Sequence, residues 1–290
     1  LLLSKASEDF NWSDISPTIF GAVFESTLNP DTRRSGGMHY TSIENIHKVI
    51  DPLFFDALSE ELKGIEAIAV KKIREKKLIE FQERLASLTF LDPACGSGNF
   101  LTETYLSLRR LENKAVMLRL GDQIILGDAA EFNPIQVSIG QFYGIEINDF
   151  AVTVAKTALW IAESQMLAET EAIVQMDLDF LPLKSYTNIV EGNALRMDWE
   201  SVVPKDKLSF IIGNPPFVGA RWMSKEQKAN TMAMTMVPAK GKLGMVIPKA
   251  MAMTAPSDAP EDTPRVDPSA KGFFRSPCMA PPQRDRLAPT

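Results

Sequence analysis

The sequence holds few of the residues that define several common classes of protein. It has two cysteines and two histidines, and neither kind lies near partners at the spacing of metal ligands. These counts argue against a disulfide scaffold and a zinc site, and they are typical of a reducing compartment. No apolar run is long enough to span a membrane, and the opening leucines lack the charged start of a signal peptide. We therefore expect a cytoplasmic protein with no bound metal and no membrane partner.

The chain also lacks an excess of positive charge. It has 31 Lys and Arg residues against 37 Asp and Glu, a formal net charge of −6. A protein that neutralises many phosphates by itself is usually basic. If the substrate is DNA, the main phosphate-binding surface is therefore expected outside this chain.

Three zones with different patterns divide the sequence. Residues 1–87 are interpreted as a helical N-terminal region, because apolar residues recur at helical spacing between Pro52 and Leu85. Residues 88–250 alternate short apolar runs with helical stretches, of which the clearest runs from Asp149 to about Glu169. Residues 251–290 are rich in proline and have no periodicity, which is typical of a disordered tail.

The middle zone contains five short apolar runs, each bounded by Gly, Pro or Asn and each predicted to be a strand. They are Leu88–Leu91, Phe142–Glu146, Asn188–Glu191, Leu208–Ile212 and Leu243–Ile247. Strands that alternate with helices predict an α/β fold, in which a mainly parallel sheet is covered by helices on both faces.

A glycine-rich loop follows the first predicted strand and opens a helix, where doubly wound folds bind their cofactors. Its sequence is Asp-Pro-Ala-Cys-Gly-Ser-Gly-Asn-Phe at residues 92–100. Gly96 and Gly98 allow a sharp turn and a close approach to a ligand. The loop is neither a P-loop nor the dinucleotide fingerprint. On its own, such a loop is more often an ordinary tight strand-to-helix turn than a cofactor site.

Polar residues also follow the second and third predicted strands. Glu146 stands at the end of the second strand, where an acidic side chain can take both hydroxyls of a ribose. Asn193 follows the third strand, where a side-chain amide can read the edge of an adenine. Each feature alone is more often a solvated strand end or a turn.

The segment Asn-Pro-Pro-Phe at residues 214–217 follows the fourth predicted strand. Its two prolines stiffen the turn and remove two backbone donors. What remains is a pair of acceptors, the Asn214 side-chain oxygen and the Pro215 carbonyl, beside the ring of Phe217. A purely structural turn is the alternative for this segment in isolation.

Together these loops resemble the cofactor loop and the catalytic loop of amino-methylating DNA methyltransferases. The motif order resembles that of the gamma class of N6-adenine enzymes. The narrower similarity is to the methylase part of fused type IIG and IIL restriction–modification enzymes, and residues 101–104 and 219–223 support it. The resemblance implies a Rossmann-like core. It also implies transfer of a methyl group from S-adenosylmethionine to an adenine flipped out of double-stranded DNA.

The resemblance also implies roles for individual residues. Residues 36–42 are similar to the upstream motif whose threonine meets the methionine carboxylate, although Ser42 stands where the family usually has proline. The implied cofactor-binding residues are Tyr40, Thr41, Asp92, Ala94, Cys95, Gly96, Gly98, Asn99, Phe100, Glu146, Ile147, Asn193 and Ala194. The implied catalytic residues are Asn214, Pro215, Pro216 and Phe217. Cys95 is interpreted as a small loop residue and not as a nucleophile.

The similarity ends near Lys225, and the fifth run follows a segment shorter than the family usually has. The closing strands and the DNA-recognition domain have no counterpart in the sequence. We therefore expect a truncated core that is weakly active or inactive alone, with specificity and nuclease parts fused or separate. Two alternatives stay open: a methyltransferase acting on RNA or on protein glutamine, and a non-catalytic remnant that only binds the cofactor.

Overall fold

The structure is a computed structural model that describes residues 16–19, 21, 41–121, 133–176, 178 and 188–215. The fifth predicted strand and the proposed tail lie outside these residues, and the division of the chain at residues 87 and 250 stays a prediction. In chain order the main elements are α1 (Ile43–Ile50), a π-helical turn (Asp51–Phe55), α2 (Asp56–Glu66), α3 (Lys71–Ser87), β1 (Phe90–Asp92), α4 (Asn99–Leu120), β2 (Phe142–Glu146), α5 (Asp149–Val174), β3 (Asn188–Glu191) and β4 (Phe210–Ile211).

The four described strands form one parallel sheet in the order β3-β2-β1-β4. The chain winds outward from β1 through β2 to β3 and then crosses to the other side of β1 to form β4. The strand order therefore reverses between β1 and β4. In doubly wound folds, ligands bind at the carboxyl ends of the strands next to such a reversal. The predicted Rossmann-like α/β fold is confirmed.

An aromatic stack crosses one face of the sheet. Phe90 of β1 is in register with Phe142 of β2 and with Phe210 of β4. Its ring centroid lies 5.3 Å from the first and 5.4 Å from the second, with the ring planes nearly parallel. Phe54 of the π-helical turn packs on this stack, and Tyr105 of α4 meets the edge of Phe142. The helices before β1 thus share a core with the sheet.

The opposite face of the sheet has its own, smaller core. Leu91 and Ile145 point to this face, because side chains alternate along a strand. They are buried with Val203, which belongs to the connection between β3 and β4. Trp199 and Met197 of the same connection pack against them. The connection therefore covers this face and at the same time carries the chain from β3 to β4.

Helix α4 is held to α5 by a buried ion pair with further partners. Arg109 and Glu112 are almost completely buried and form an ion pair. Arg109 also donates to the hydroxyl of Thr170, at 2.6 Å, and to the carbonyl of Met166. Glu112 accepts the backbone N–H of Gln136 at 2.7 Å. Buried charges are costly unless they are paired and hydrogen-bonded, and these contacts fix α4 against α5 and the segment before β2.

The structure refines several predicted boundaries. The stretch from Pro52 to Leu85 is broken after α2 and begins as a π-helical turn, in which Asp56 N–H donates to the Asp51 carbonyl. Strand β1 begins two residues later than predicted, because Leu88 closes α3 through a bond to the Leu85 carbonyl. The second and third strands have their predicted bounds, and α5 continues to Val174. Within the described part of the chain, no helix has the length and apolarity to cross a membrane.

Candidate cofactor and target-base site

The glycine-rich loop at the end of β1 depends on Gly98. This residue has φ +80°, a left-handed conformation that favours glycine, and it caps the start of α4. A Cβ atom at Gly98 would lie 2.9 Å from the Cβ of Ala155 on α5. The loop can therefore pack against α5 only because residue 98 has no side chain.

Gly96 plays a different part in the same loop. It also has a positive φ, +53°, but a Cβ atom there would meet nothing within 4 Å. The space beside Gly96 is thus open among the described residues. A loop whose backbone is exposed to open space at the switch point is what a bound cofactor requires.

The carboxylate of Glu146 connects the loops that follow β1 and β2. One oxygen accepts the backbone N–H of Gly96 at 2.9 Å, and the other accepts the N–H of Asn148 at 3.0 Å. The Glu146 carbonyl also accepts the N–H of Gly192 after β3, at 2.8 Å. An ionised carboxylate offers about four acceptor positions. Glu146 therefore orders three strand ends and keeps acceptor capacity for ribose hydroxyls.

Asp92 ends β1 inside the protein, with its side chain against β4. Its Oδ1 accepts the N–H of Ala94 at 3.0 Å. A Cβ atom at Gly213 would lie only 2.4 Å from that oxygen, so the ends of β1 and β4 approach at a distance that only glycine permits. Burial raises the pKa of Asp92 to about 7 against the opposing Ala94 hydrogen bond, and the charge of Glu146 adds to the rise.

The upstream motif and the catalytic loop meet through one side-chain hydrogen bond. The amide nitrogen of Asn214 donates to the hydroxyl of Thr41 at 3.2 Å, across 173 residues of sequence. With its nitrogen bound in this way, Asn214 keeps its side-chain oxygen as an acceptor. Pro215 follows Asn214, and its backbone has a carbonyl acceptor but no N–H donor. The structure therefore brings together residues that sequence reasoning joined only through the family resemblance.

Of the remaining predicted cofactor residues, Ile147, Asn193 and Ala194 follow strand ends at the same edge of the sheet. Ile147 is 68% exposed directly after β2, so its apolar side chain is free to pack on a ligand. Asn193 forms a turn in which its Oδ1 accepts the N–H of Leu195 at 3.0 Å, with Ala194 inside that turn. Phe100 is buried in the core. Tyr40, Pro216 and Phe217 lie outside the described residues.

Two buried polar groups of the loop bear on its chemistry. Burial raises the pKa of the Cys95 thiol well above its usual range, and the negative charges of Asp92 and Glu146 add to the effect. A thiol held neutral in this way is a poor nucleophile. The Oδ1 atom of Asn99 is buried and has no hydrogen-bond partner among the described residues.

The sequence analysis did not predict the glycines that allow other residues to lie close to the cofactor loop and to Asp92. Gly21 lies against the loop, since a Cβ atom there would be 2.4 Å from the Ser97 hydroxyl and 2.7 Å from Asn99 Oδ1. Gly213 packs on Asp92 as described above, and a Cβ atom at Gly144 would be 2.8 Å from the Cys95 sulfur. The position of Gly213, directly before the Asn-Pro-Pro-Phe segment, was a signal available in the sequence. No signal in the sequence marked Gly21, because the residues that it contacts, Ser97 and Asn99, are distant in sequence.

Among the described residues, no group of three or more His, Cys, Asp or Glu side chains is arranged to hold a metal ion. A parallel sheet with reversed strand order, a glycine-rich loop after β1 and an acidic residue ending β2 define the class of Rossmann-like cofactor-binding domains. Residues 68–247 match the family of the MmeI DNA-methyltransferase domain, and this is more than half of the chain. The chain belongs to this family.

Two relatives give the same result. DNA methyltransferase A of Bacillus subtilis (strain 168) is 39% identical over 246 residues, which cover 83% of this chain and 27% of the relative. The type IIL restriction–modification enzyme MmeI, solved in complex with DNA, superposes with a TM-score of 0.68 at 39% identity. That match covers 80% of this chain and 30% of MmeI. The predicted kinship with the methylase part of type IIL enzymes is confirmed, and the chain spans less than a third of either relative.

Proposed function

We propose that this domain transfers a methyl group from S-adenosylmethionine to the exocyclic N6 of an adenine in double-stranded DNA. The observation that carries the proposal is the hydrogen bond between Asn214 and Thr41 at the carboxyl edge of β4. It joins the amide of Asn214, in the predicted catalytic loop, to Thr41 of the predicted upstream motif. Family membership supports DNA as the substrate.

The residues present fit S-adenosylmethionine. No described residue fills the space beside Gly96, and the Glu146 carboxylate retains acceptor capacity for the two ribose hydroxyls. The Asn99 Oδ1, which has no hydrogen-bond partner in the part of the chain that the structure describes, and the Thr41 hydroxyl supply polar groups on the methionine side of the loop. Ile147 supplies an exposed apolar surface for the adenine ring. When bound, S-adenosylmethionine supplies an electrophilic methyl group on a positively charged sulfur.

The catalytic loop acts on the amino group of the target base. Thr41 holds the Asn214 amide nitrogen, so the amide oxygen is left to accept one N6 hydrogen, and the Pro215 carbonyl accepts the other. Two acceptors in these places draw the nitrogen lone pair out of the ring and toward the methyl group. Methylation leaves N6 with a positive charge, and it then loses one proton to water, because the amide and carbonyl oxygens accept hydrogen bonds but are too weakly basic to keep the proton. Placement carries much of the rate, and no covalent nucleophile is needed.

The base must leave the helix to reach these acceptors, since a stacked base exposes too little of its amino group. By the family resemblance, Phe217 stacks on the flipped base. The net charge of −6 leaves little of the phosphate contact to this chain. We therefore assign DNA recognition, and any cleavage, to other parts of the restriction–modification protein to which such a domain belongs.

The test is methyl transfer by the full chain, incubated with labelled S-adenosylmethionine and adenine-containing duplex DNA, RNA or protein. We expect label in DNA as N6-methyladenine, and at least ~100-fold less with Asn214→Ala, because one of two acceptors is gone. Asn45→Ala is the matched control, since Asn45 is exposed on α1. Transfer to RNA or protein but not to DNA would contradict the proposal. Cofactor binding without transfer to DNA, both by this chain alone and after a DNA-recognition domain is fused to it, would also contradict the proposal, because that is the result expected of a non-catalytic remnant.

A further inference from the structure

A histidine joins the helix beside Thr41 to the helix that begins at the cofactor loop. His47 lies on α1, which starts directly after the Thr41–Ser42 pair. Its Nε2 atom is 3.2 Å from Oε1 of Glu103, which lies one turn into α4. Its Nδ1 atom is 2.8 Å from Oδ1 of Asp51, in the π-helical turn. One imidazole ring therefore bridges two elements that carry different parts of the proposed site.

Both contacts of the His47 ring can be hydrogen bonds in only one protonation state of the imidazole. Both partners are carboxylates, which only accept hydrogen bonds when ionised. A neutral imidazole has one N–H and one lone pair, so it can satisfy only one of the two contacts, whereas the imidazolium satisfies both. The pKa of His47 agrees with this geometry. Burial opposes the charge, but the hydrogen bonds to Asp51 and Glu103 outweigh it and raise the pKa above 6.5.

The other charged groups nearby do not replace His47. Arg110 on α4 lies 3.3 Å from the same Glu103 oxygen, but its own side chain is 55% exposed and belongs to the same helix as Glu103. It therefore adds no link between helices. Lys48 and Glu44 pair with each other on the exposed side of α1. Among the described residues, His47 is thus the cation that connects α1 to the buried Glu103 carboxylate.

We propose that protonated His47 is a positioning residue that holds α1 against α4 and so fixes Thr41 relative to the cofactor loop. The inference rests on the proposed cofactor site. Both hydrogen bonds of His47 form at pH values below the ordinary histidine pKa. One of them is lost as the pH rises through the raised pKa of His47 in the folded chain. Affinity for S-adenosylmethionine is therefore expected to fall over the same pH interval.

The first test needs no cofactor. The chain has two histidines, so in a His39→Gln variant the imidazole NMR signal belongs to His47 alone. We expect its titration midpoint above 6.5, and a lower midpoint after Glu103→Gln, which removes the charge of one partner. A midpoint at or below 6.5 would overturn the proposal.

The second test measures S-adenosylmethionine binding by calorimetry between pH 6 and pH 9, in wild type, His47→Gln and His47→Arg. At pH 6 we expect His47→Gln to bind about fivefold more weakly than wild type, at the low end of typical coupling. The ratio of the two affinities should approach one at high pH. Because the amino group of the cofactor titrates equally in both experiments, its effect cancels when the ratio is taken at each pH. His47→Arg keeps a permanent cation, so we expect it to bind more tightly than His47→Gln at high pH.

Linkage supplies a check on these two tests. If the cofactor prefers the protonated form, it must raise the NMR midpoint of His47, by one unit for each tenfold change in affinity. Equal binding of wild type and His47→Gln at pH 6, with both folded by circular dichroism, would overturn the positioning role alone. Absence of binding by the wild type at every pH would overturn the proposed function as well.

Discussion

The two halves of the candidate site are held together by different kinds of contact. The cofactor half consists of the loop at residues 92–98 with Glu146, and backbone N–H groups and glycine-only contacts fix it. The base half consists of Asn214 and Pro215, and the side-chain hydrogen bond described for it joins Asn214 to Thr41. Backbone contacts leave little freedom, whereas a single side-chain bond can rearrange when a base enters. The cofactor half is thus preorganised, and the base half is adjustable.

The largest expected effect comes from Asp92, whose side chain packs on Gly213 directly before the base half. Its pKa is raised from 3.8 to about 7 by burial and, to a lesser degree, by Glu146. The folded chain therefore keeps a proton that the unfolded chain loses. The stabilisation from this proton is full below about pH 4 and disappears as the pH rises to about 7, a loss of up to ~4 kcal/mol.

Urea unfolding of wild type and Asp92→Asn between pH 4 and pH 8 checks this expectation. The variant cannot ionise at this position, so it should lose less stability than the wild type over that interval. Asp206→Asn serves as the control, since Asp206 is exposed. Parallel stability curves for wild type and Asp92→Asn would show that Asp92 is ionised in the folded chain throughout.

Glu146→Ala should weaken S-adenosylmethionine binding about 100-fold, because the variant loses a charged acceptor for the ribose and for two backbone N–H groups. Glu191→Ala is a close control. Glu191 ends β3 in register with Glu146, but it is exposed. We expect calorimetry to show less than a twofold change for this control. Similar losses in both variants would mean that general negative charge at this edge, and not the geometry of Glu146, supports binding.

Gly98→Ala and Gly96→Ala separate the two reasons for glycine in the loop. Both residues have positive φ, which costs an alanine about 1 kcal/mol. Only Gly98 also faces Ala155, so its substitution should cost about 2–3 kcal/mol in total. The measurement is the free energy of unfolding in urea. Equal losses of unfolding free energy in the two variants would show that α5 moves away from an alanine at position 98 at no energetic cost.

Thr41→Val tests the base half and has the smallest expected effect. Valine keeps the shape of threonine but removes the acceptor of the Asn214 amide, so the amide is free to rotate. Thr41 is also a proposed cofactor contact, so kcat is measured at saturating S-adenosylmethionine. We expect it to fall about fivefold to tenfold, with the unfolding free energy lowered by ~1 kcal/mol or less. Thr153→Val on the exposed face of α5 is the control. An unchanged kcat would show that other contacts hold the base half.

Much of the fold was readable from the sequence because its signals are local. Strand β2 and strand β3 have their predicted bounds, since turn residues stand at their ends. The start of β1 was misplaced because Leu88 is apolar and yet belongs to the end of α3. Helical periodicity between Pro52 and Leu85 did not show the π-helical turn, which contains Pro52.

The site was readable only in part, because its geometry depends on distant pairs. The motifs placed Asp92, Glu146 and Asn214 at successive strand ends. No pattern in the sequence pairs His47 with Glu103, or Gly21 with Ser97. These contacts form when helices pack, and the amino acids involved carry no local mark of their partners.

The aromatic stack on the sheet gives a way to follow motion between the two halves. Phe90 on the central strand lies between a ring on β2, on the cofactor side, and a ring on β4, on the base side. Its ring can rotate by 180° only when at least one neighbour moves away. The ring-flip rate of Phe90 therefore reports how often the packing around this stack opens, and a bound ligand that clamps both sides of the sheet should slow it.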